Sequence, residues 1–179
     1  ILGWSAGQHI EYYENRPKII NNGTFTETYG ADNPLFGLSG GNSPQPAFVD
    51  IDNDGDIDVI VGSNDVFIHW WENKQTPNPE PGTWTENIID SNFDGAWSVY
   101  ATDIDGENDV DVLGAASEGD DISWWENDGN ENFTEHTITS NYLSPYSLYG
   151  ADMDNDGDMD AVSVSLDLFD VTWWENDGN

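Results

Sequence analysis

Apolar residues in this chain come in short runs separated by Gly, Asp, Asn and Pro, and no stretch sustains a 3.6-residue apolar period. That pattern predicts strands and no substantial helix. The run Val110-Asp-Val-Leu-Gly-Ala-Ala116 is rich in β-branched and small apolar residues, as a buried strand requires. Around it the pattern predicts four short strands, roughly 97–104, 110–117, 121–127 and 132–139. Asn127-Asp-Gly-Asn130 reads as the hairpin turn between the last two, since Asn and Gly tolerate positive φ.

The same pattern recurs along the chain. Trp70-Trp71-Glu72-Asn73 returns as Trp124-Trp125-Glu126-Asn127 and Trp173-Trp174-Glu175-Asn176, with a worn copy at Tyr12-Tyr13-Glu14-Asn15. An aromatic-Thr-Glu signature follows all but the last copy: Phe25-Thr26-Glu27, Trp84-Thr85-Glu86 and Phe133-Thr134-Glu135. A fixed period of this length marks a repeat architecture. Adjacent tryptophans on one strand point to opposite faces, so both faces must be buried. A β-propeller meets that demand, because each four-stranded blade packs against the blade before and the blade after it. Trp124 is then expected in one inter-blade layer and Trp125 in the other. The competing use of such tryptophans is stacking on sugars.

Each full repeat also carries an acidic nonapeptide: Asp50-Ile-Asp-Asn-Asp-Gly-Asp-Ile-Asp58, Asp103-Ile-Asp-Gly-Glu-Asn-Asp-Val-Asp111 and Asp152-Met-Asp-Asn-Asp-Gly-Asp-Met-Asp160. The starts at 50, 103 and 152 are 53 and then 49 residues apart. These loops hold 15 of the 36 acidic residues in a 179-residue chain of net charge −33, whose only Lys and Arg are Arg16, Lys18 and Lys74. Such a polyanion should avoid nucleic acid and anionic membrane surfaces. Nine Trp, seven Tyr and seven Phe supply core material that a disordered acidic chain lacks. The absence of cysteine rules out a disulfide framework without excluding secretion. No apolar run reaches transmembrane length, and Ile1 reads as a processed or truncated start.

Together these motifs resemble the FG-GAP or VCBS repeat family, the calcium-bearing propeller blade also found in the head of integrin α chains. The resemblance covers nearly the whole chain, through the Asp-x-Asp-x-Asp-Gly-x-x-Asp loops and the Trp-Trp-Glu-Asn strand ends. A literal Phe-Gly-Gly-Ala-Pro run is absent; Phe36-Gly37 with Gly40-Gly41 is its nearest counterpart.

Five acidic side chains in nine residues call for a hard cation among them, and calcium takes six to eight oxygens. Side-chain ligation is expected from Asp50, Asp52, Asp54 and Asp58, with the Asp56 carbonyl and a water completing the shell. The third loop follows suit with Asp152, Asp154, Asp156, the Asp158 carbonyl and Asp160. In the middle loop Asp103, Asp105, Asp109 and Asp111 fit, while Glu107 and Asn108 replace Asp and Gly, so this site should be the weakest of the three. Gly55 and Gly157 are expected at positive φ, with Asn108 their substitute. An EF-hand needs a Glu at the twelfth position, where this chain has Val61, Gly114 or Ser163. Closed, all-oxygen loops between the first and second strands read as structural rather than catalytic.

The expected organisation is one all-β domain over 1–179: a partial blade at 1–30, a connection at 31–46, blades at 47–96 and 97–145, and a partial blade at 146–179. The count comes to about three and a half four-stranded antiparallel blades, so the ring is completed either by further chain or by neighbouring chains. Self-association by strand or blade completion follows from the open edges. Asn22-Gly-Thr24 and Asn132-Phe-Thr134 are glycosylation sequons. His9, His69 and His136 lie apart and form no catalytic constellation, so no enzymatic activity is expected. The function expected is a secreted or cell-surface, calcium-stabilised repeat protein with a structural or adhesive role, such as a fibre protomer. The alternatives are a carbohydrate-binding lectin, with glycans or extracellular proteins as partners, and the non-catalytic propeller of a secreted enzyme.

Overall fold

Strand-forming segments separated by tight polar turns pair with their sequence neighbours, and the described residues form three antiparallel sheets in consecutive order. The computed structural model describes Leu35, Leu38 and residues 45–64, 66–74 and 83–178. The first sheet contains β1 (Gln45–Val49), β2 (Asp58–Gly62), β3 (Ile68–Lys74) and β4 (Thr83–Asp90). The second contains β5 (Ala96–Thr102), β6 (Asp111–Ala116), β7 (Asp121–Asn127) and β8 (Phe133–Thr139). The third contains β9 (Pro145–Ala151), β10 (Asp160–Ser165) and β11 (Val171–Trp174). The four strands expected in the second repeat all form, with ends within about two residues of those read from the pattern. No helix occurs among the described residues. The expected partial blade at 1–30, most of the connection to residue 46, and Asn22 lie outside the described residues.

The sheets stack like propeller blades and do not close a ring. First strands lie beside first strands, β1 by β5 and β5 by β9. Between the first and second sheets lies a core of Ile51, Ile60, Ile68 and Trp70 against Phe93, Ala96, Val112 and Trp125. Between the second and third lies Ile104, Leu113, Ile122 and Leu148 with Ala161, flanked by Trp124 and Trp174.

The tryptophan pairs divide between these layers, as strand alternation requires. Trp70 faces the following sheet and is 2% exposed, while Trp71 faces the other way, toward Leu35, Val59 and Val61. In the second sheet Trp125 faces backward, meeting Phe93 edge-on at 4.8 Å, and Trp124 faces forward. Trp174 faces back to the second sheet, but Trp173, whose counterparts look toward the following sheet, is 45% exposed. Burying one such indole is worth roughly 3 kcal/mol.

Close approach of neighbouring sheets depends on small residues. A Cβ on Gly62 would stand 2.9 Å from Val99 Cγ1 and 3.1 Å from the Ala96 carbonyl oxygen. Replacing Gly62 with Val should wedge β2 away from β5. The expected cost is about 1–3 kcal/mol, read as a lower urea midpoint at unchanged slope; an unchanged midpoint would show that the sheets do not meet there.

Candidate metal centres

Each acidic loop occupies the turn between the first and second strands of a sheet: Asp50–Asp58 joins β1 to β2, Asp103–Asp111 joins β5 to β6, and Asp152–Asp160 joins β9 to β10. The nonapeptides curl because two residues in each adopt positive φ. In the first loop these are Asn53 (57°) and Gly55 (97°); in the third, Asn155 (64°) and Gly157 (105°). The middle loop exchanges the two residue types, with Gly106 at 79° and Asn108 at 69°. Asn and Gly are the residues that enter this region at least cost, so the loop survives the exchange. The fourth position as a second left-handed site escaped the sequence reading, although Asn53, Gly106 and Asn155 were its signal.

The curl brings together the first, third and ninth carboxylates. Asp50, Asp52 and Asp58 each offer an oxygen within 4.8 Å of the others, as do Asp103, Asp105 and Asp111, and Asp152, Asp154 and Asp160. Two oxygens bound to one calcium at about 2.3–2.6 Å lie no more than about 5.2 Å apart, so each group fits one ion. The Asp50 Oδ1 atom is buried and has no hydrogen-bond partner, which suits a ligand atom. Asp54, Glu107 and Asp156 lie outside these groups, as do Asp56, Asp109 and Asp158. Asp54 Oδ1 and Asp156 Oδ1 instead accept the Asp56 and Asp158 N–H groups, at 2.9 and 3.0 Å. Asp109 Oδ1 is buried and unpartnered.

Backbone donors hold the candidate ligand carboxylates in place. The first-position carboxylates accept the Gly55 N–H at 3.0 Å and the Asn108 N–H at 3.1 Å. The third-position carboxylates accept the N–H two residues on, at 3.1, 3.1 and 3.2 Å. The ninth carboxylate is the anchor, fully buried in all three loops. Asp58 accepts the Ile51 N–H at 3.0 Å and the Asn73 N–H at 2.8 Å. Asp111 accepts from Ile104 and Asn127, both at 2.8 Å, and Asp160 from Met153 at 2.9 Å and Asn176 at 2.8 Å.

The Asn of each Trp-Trp-Glu-Asn strand is therefore part of the site, a role missed in the sequence. Its recurrence beside the tryptophans in every copy was the available signal. Asn132, exposed just before β8, donates its sequon nitrogen to Asp128 at 3.1 and 2.9 Å.

Burial pushes the Asp58 and Asp111 carboxyls up to about 6, with their backbone donors opposing and neighbouring loop aspartates adding repulsion. Burial also raises Asp52, Asp109 and Asp154 above the usual carboxylate range. At Asp160 burial is outweighed by the Asn176 and Met153 N–H groups and the Trp173 indole, so its pKa is lowered. Without an ion, the raised groups favour the folded state when protonated; their contribution is present at acid pH and lost as pH rises through about 6. Asp160 acts oppositely, but only below its ordinary value of 3.8. Chelated protein should therefore melt higher at pH 5 than at pH 7.5, whereas saturating calcium should shrink or reverse that difference, as scanning calorimetry can check. A chelated protein that melts lower at pH 5 would contradict this electrostatic account.

An FG-GAP-like repeat model matches residues 50–114 and again residues 107–163. The first match takes in the loops at 50–58 and 103–111, and the second begins within the middle loop and ends just past the loop at 152–160. No curated protein matches the sequence.

Proposed function

The chain belongs to the FG-GAP-like repeat family, and from that premise we propose that it is an extracellular, calcium-stabilised scaffold with a structural or adhesive role. One observation carries this reading. Three groups of three carboxylates recur at equivalent turns, while Lys74, the only Lys or Arg among the described residues, pairs with Glu72 at 2.8 Å. Among the described residues no other Lys or Arg is on hand to offset the loops, and an all-carboxylate donor set suits calcium better than softer metals. Sites of this kind fill where calcium is millimolar, which points outside the cell. The donors belong to turns between core strands, so the ion would be a structural part. Of the described histidines, His136 contacts Glu126 at 2.8 Å and stacks on Trp124, and His69 meets Glu86 at 3.0 Å.

Chelation tests the proposal. Each site at a hundredfold excess of calcium over its Kd contributes about 2.7 kcal/mol, and 1 kcal/mol moves the Tm of a domain this size by about 2–4 °C. Removing calcium should therefore lower the Tm by more than about 10 °C, and equimolar magnesium should restore little of it. An unchanged Tm in chelator would refute the structural role of calcium.

Self-association is favoured by a separate observation. Tyr149, Val164, Val171 and Trp173 form an exposed apolar face on the third sheet, at positions that the following sheet covers in the first two. A second copy supplying a sheet to this face would complete the stack. Sedimentation equilibrium should then show concentration-dependent association that Trp173→Glu abolishes. A dilution-independent monomer, or association indifferent to that substitution, would remove this reading.

A further inference from the structure

In the second and third Trp-Trp-Glu-Asn copies the closing asparagine touches two acidic loops. Asn127 Nδ2 donates to the Val110 carbonyl of its own loop at 3.2 Å and to the Ile51 carbonyl of the preceding loop at 3.3 Å. Asn176 Nδ2 repeats this with the Met159 carbonyl at 3.3 Å and the Ile104 carbonyl at 3.2 Å. We propose that Asn127 and Asn176 are positioning residues that couple neighbouring calcium loops, so that an ion in one loop raises the affinity of the next. The inference rests on the calcium reading and adds to it a communication between sites.

The path is short and made of hydrogen bonds. The Ile51 N–H donates to Asp58, the Ile51 carbonyl accepts from Asn127, and the Asn127 N–H donates to Asp111. One peptide residue and one side chain thus join two ligand carboxylates in adjacent sheets. The same path runs from Asp111 through Ile104 and Asn176 to Asp160. Ile51 and Ile104 bury their side chains in the two inter-sheet cores, and Asn127 is itself buried. The loop's second residue cannot turn without disturbing both its carboxylate and the next sheet's asparagine.

An ion that fixes Asp111 orients the Asn127 backbone, which presents its amide to Ile51 and so steadies Asp58. Part of the ordering required by the second ion is then already done, which is positive cooperativity. The residue type matters. Asp in this place would have no N–H2 to donate and would add a charge among carboxylates, and Gln would overreach by a methylene. Asn73 differs, since its amide donates to its own loop at Ile57, 3.1 Å away, and the repeat before it in the sequence has no acidic loop.

The test uses the whole chain with its third loop disabled by Asp152→Asn and Asp154→Asn, leaving two linked sites. Calorimetric calcium titration of this parent should show the second ion binding on the order of five- to tenfold more tightly than the first. Adding Asn127→Ala should leave two ions bound without that coupling, whereas Asn73→Ala should weaken one site and keep the coupling. A purely structural asparagine would weaken binding and leave the coupling intact, and that result overturns the inference, as does a parent with independent sites. A parent that takes up no calcium overturns the calcium reading itself and the coupling with it. Should Asn127→Ala prevent folding, Asn176→Ala in a chain carrying Asp50→Asn and Asp52→Asn reads the same coupling between the second and third loops, with the same outcomes.

Discussion

The structure depends on a buried carboxylate used three times. Asp58, Asp111 and Asp160 are each wholly inaccessible, and each is held by one N–H from its own loop and one from the asparagine at or just past the end of the neighbouring strand. At Asp58 and Asp111 two backbone donors cover only part of the cost of burying a carboxylate, and their raised pKa expresses the remainder; at Asp160 the donors, with the Trp173 indole, outweigh it. Gathering two more carboxylates beside each one makes the debt larger. A divalent cation would resolve it, by turning three mutually repelling groups into ligands of one centre.

That constraint also explains why the loops lie in register with the tryptophans. The asparagine whose N–H grips the ninth aspartate directly follows the Trp-Trp-Glu triplet, so strand alternation, core packing and the ion loop share one reading frame. Trp70 with Trp125, and Trp124 with Trp174, bind successive sheets on either side of the loops. A one-residue slip would turn each indole to the wrong layer and also carry the asparagine off its carboxylate. Each repeat is thereby locked to the next by apolar contact and by hydrogen bonding at the acidic end.

Much of this was legible in the sequence because it is periodic. The four strands of the second repeat, the turn at Gly129, and the division of Trp124 and Trp125 between two faces all follow from alternation and turn chemistry. Which carboxylates converge was less legible. Five acidic residues in nine suggest a common centre; the first, third and ninth are drawn together in every loop, while the fifth accepts the N–H two residues on in the first and third loops. The asparagines were illegible in another way. A one-dimensional motif shows that Asn127 follows Trp125, but its contact with Ile51, 76 residues earlier, exists only once two sheets stack.

The most direct test is to count ions. Equilibrium dialysis at millimolar calcium, followed by metal analysis of the protein, should find three calcium ions per chain, and one fewer for each of Asp58→Asn, Asp111→Asn and Asp160→Asn in a folded protein. Less than one ion per chain, or a count indifferent to those three substitutions, would contradict the central claim that the buried aspartates anchor calcium centres.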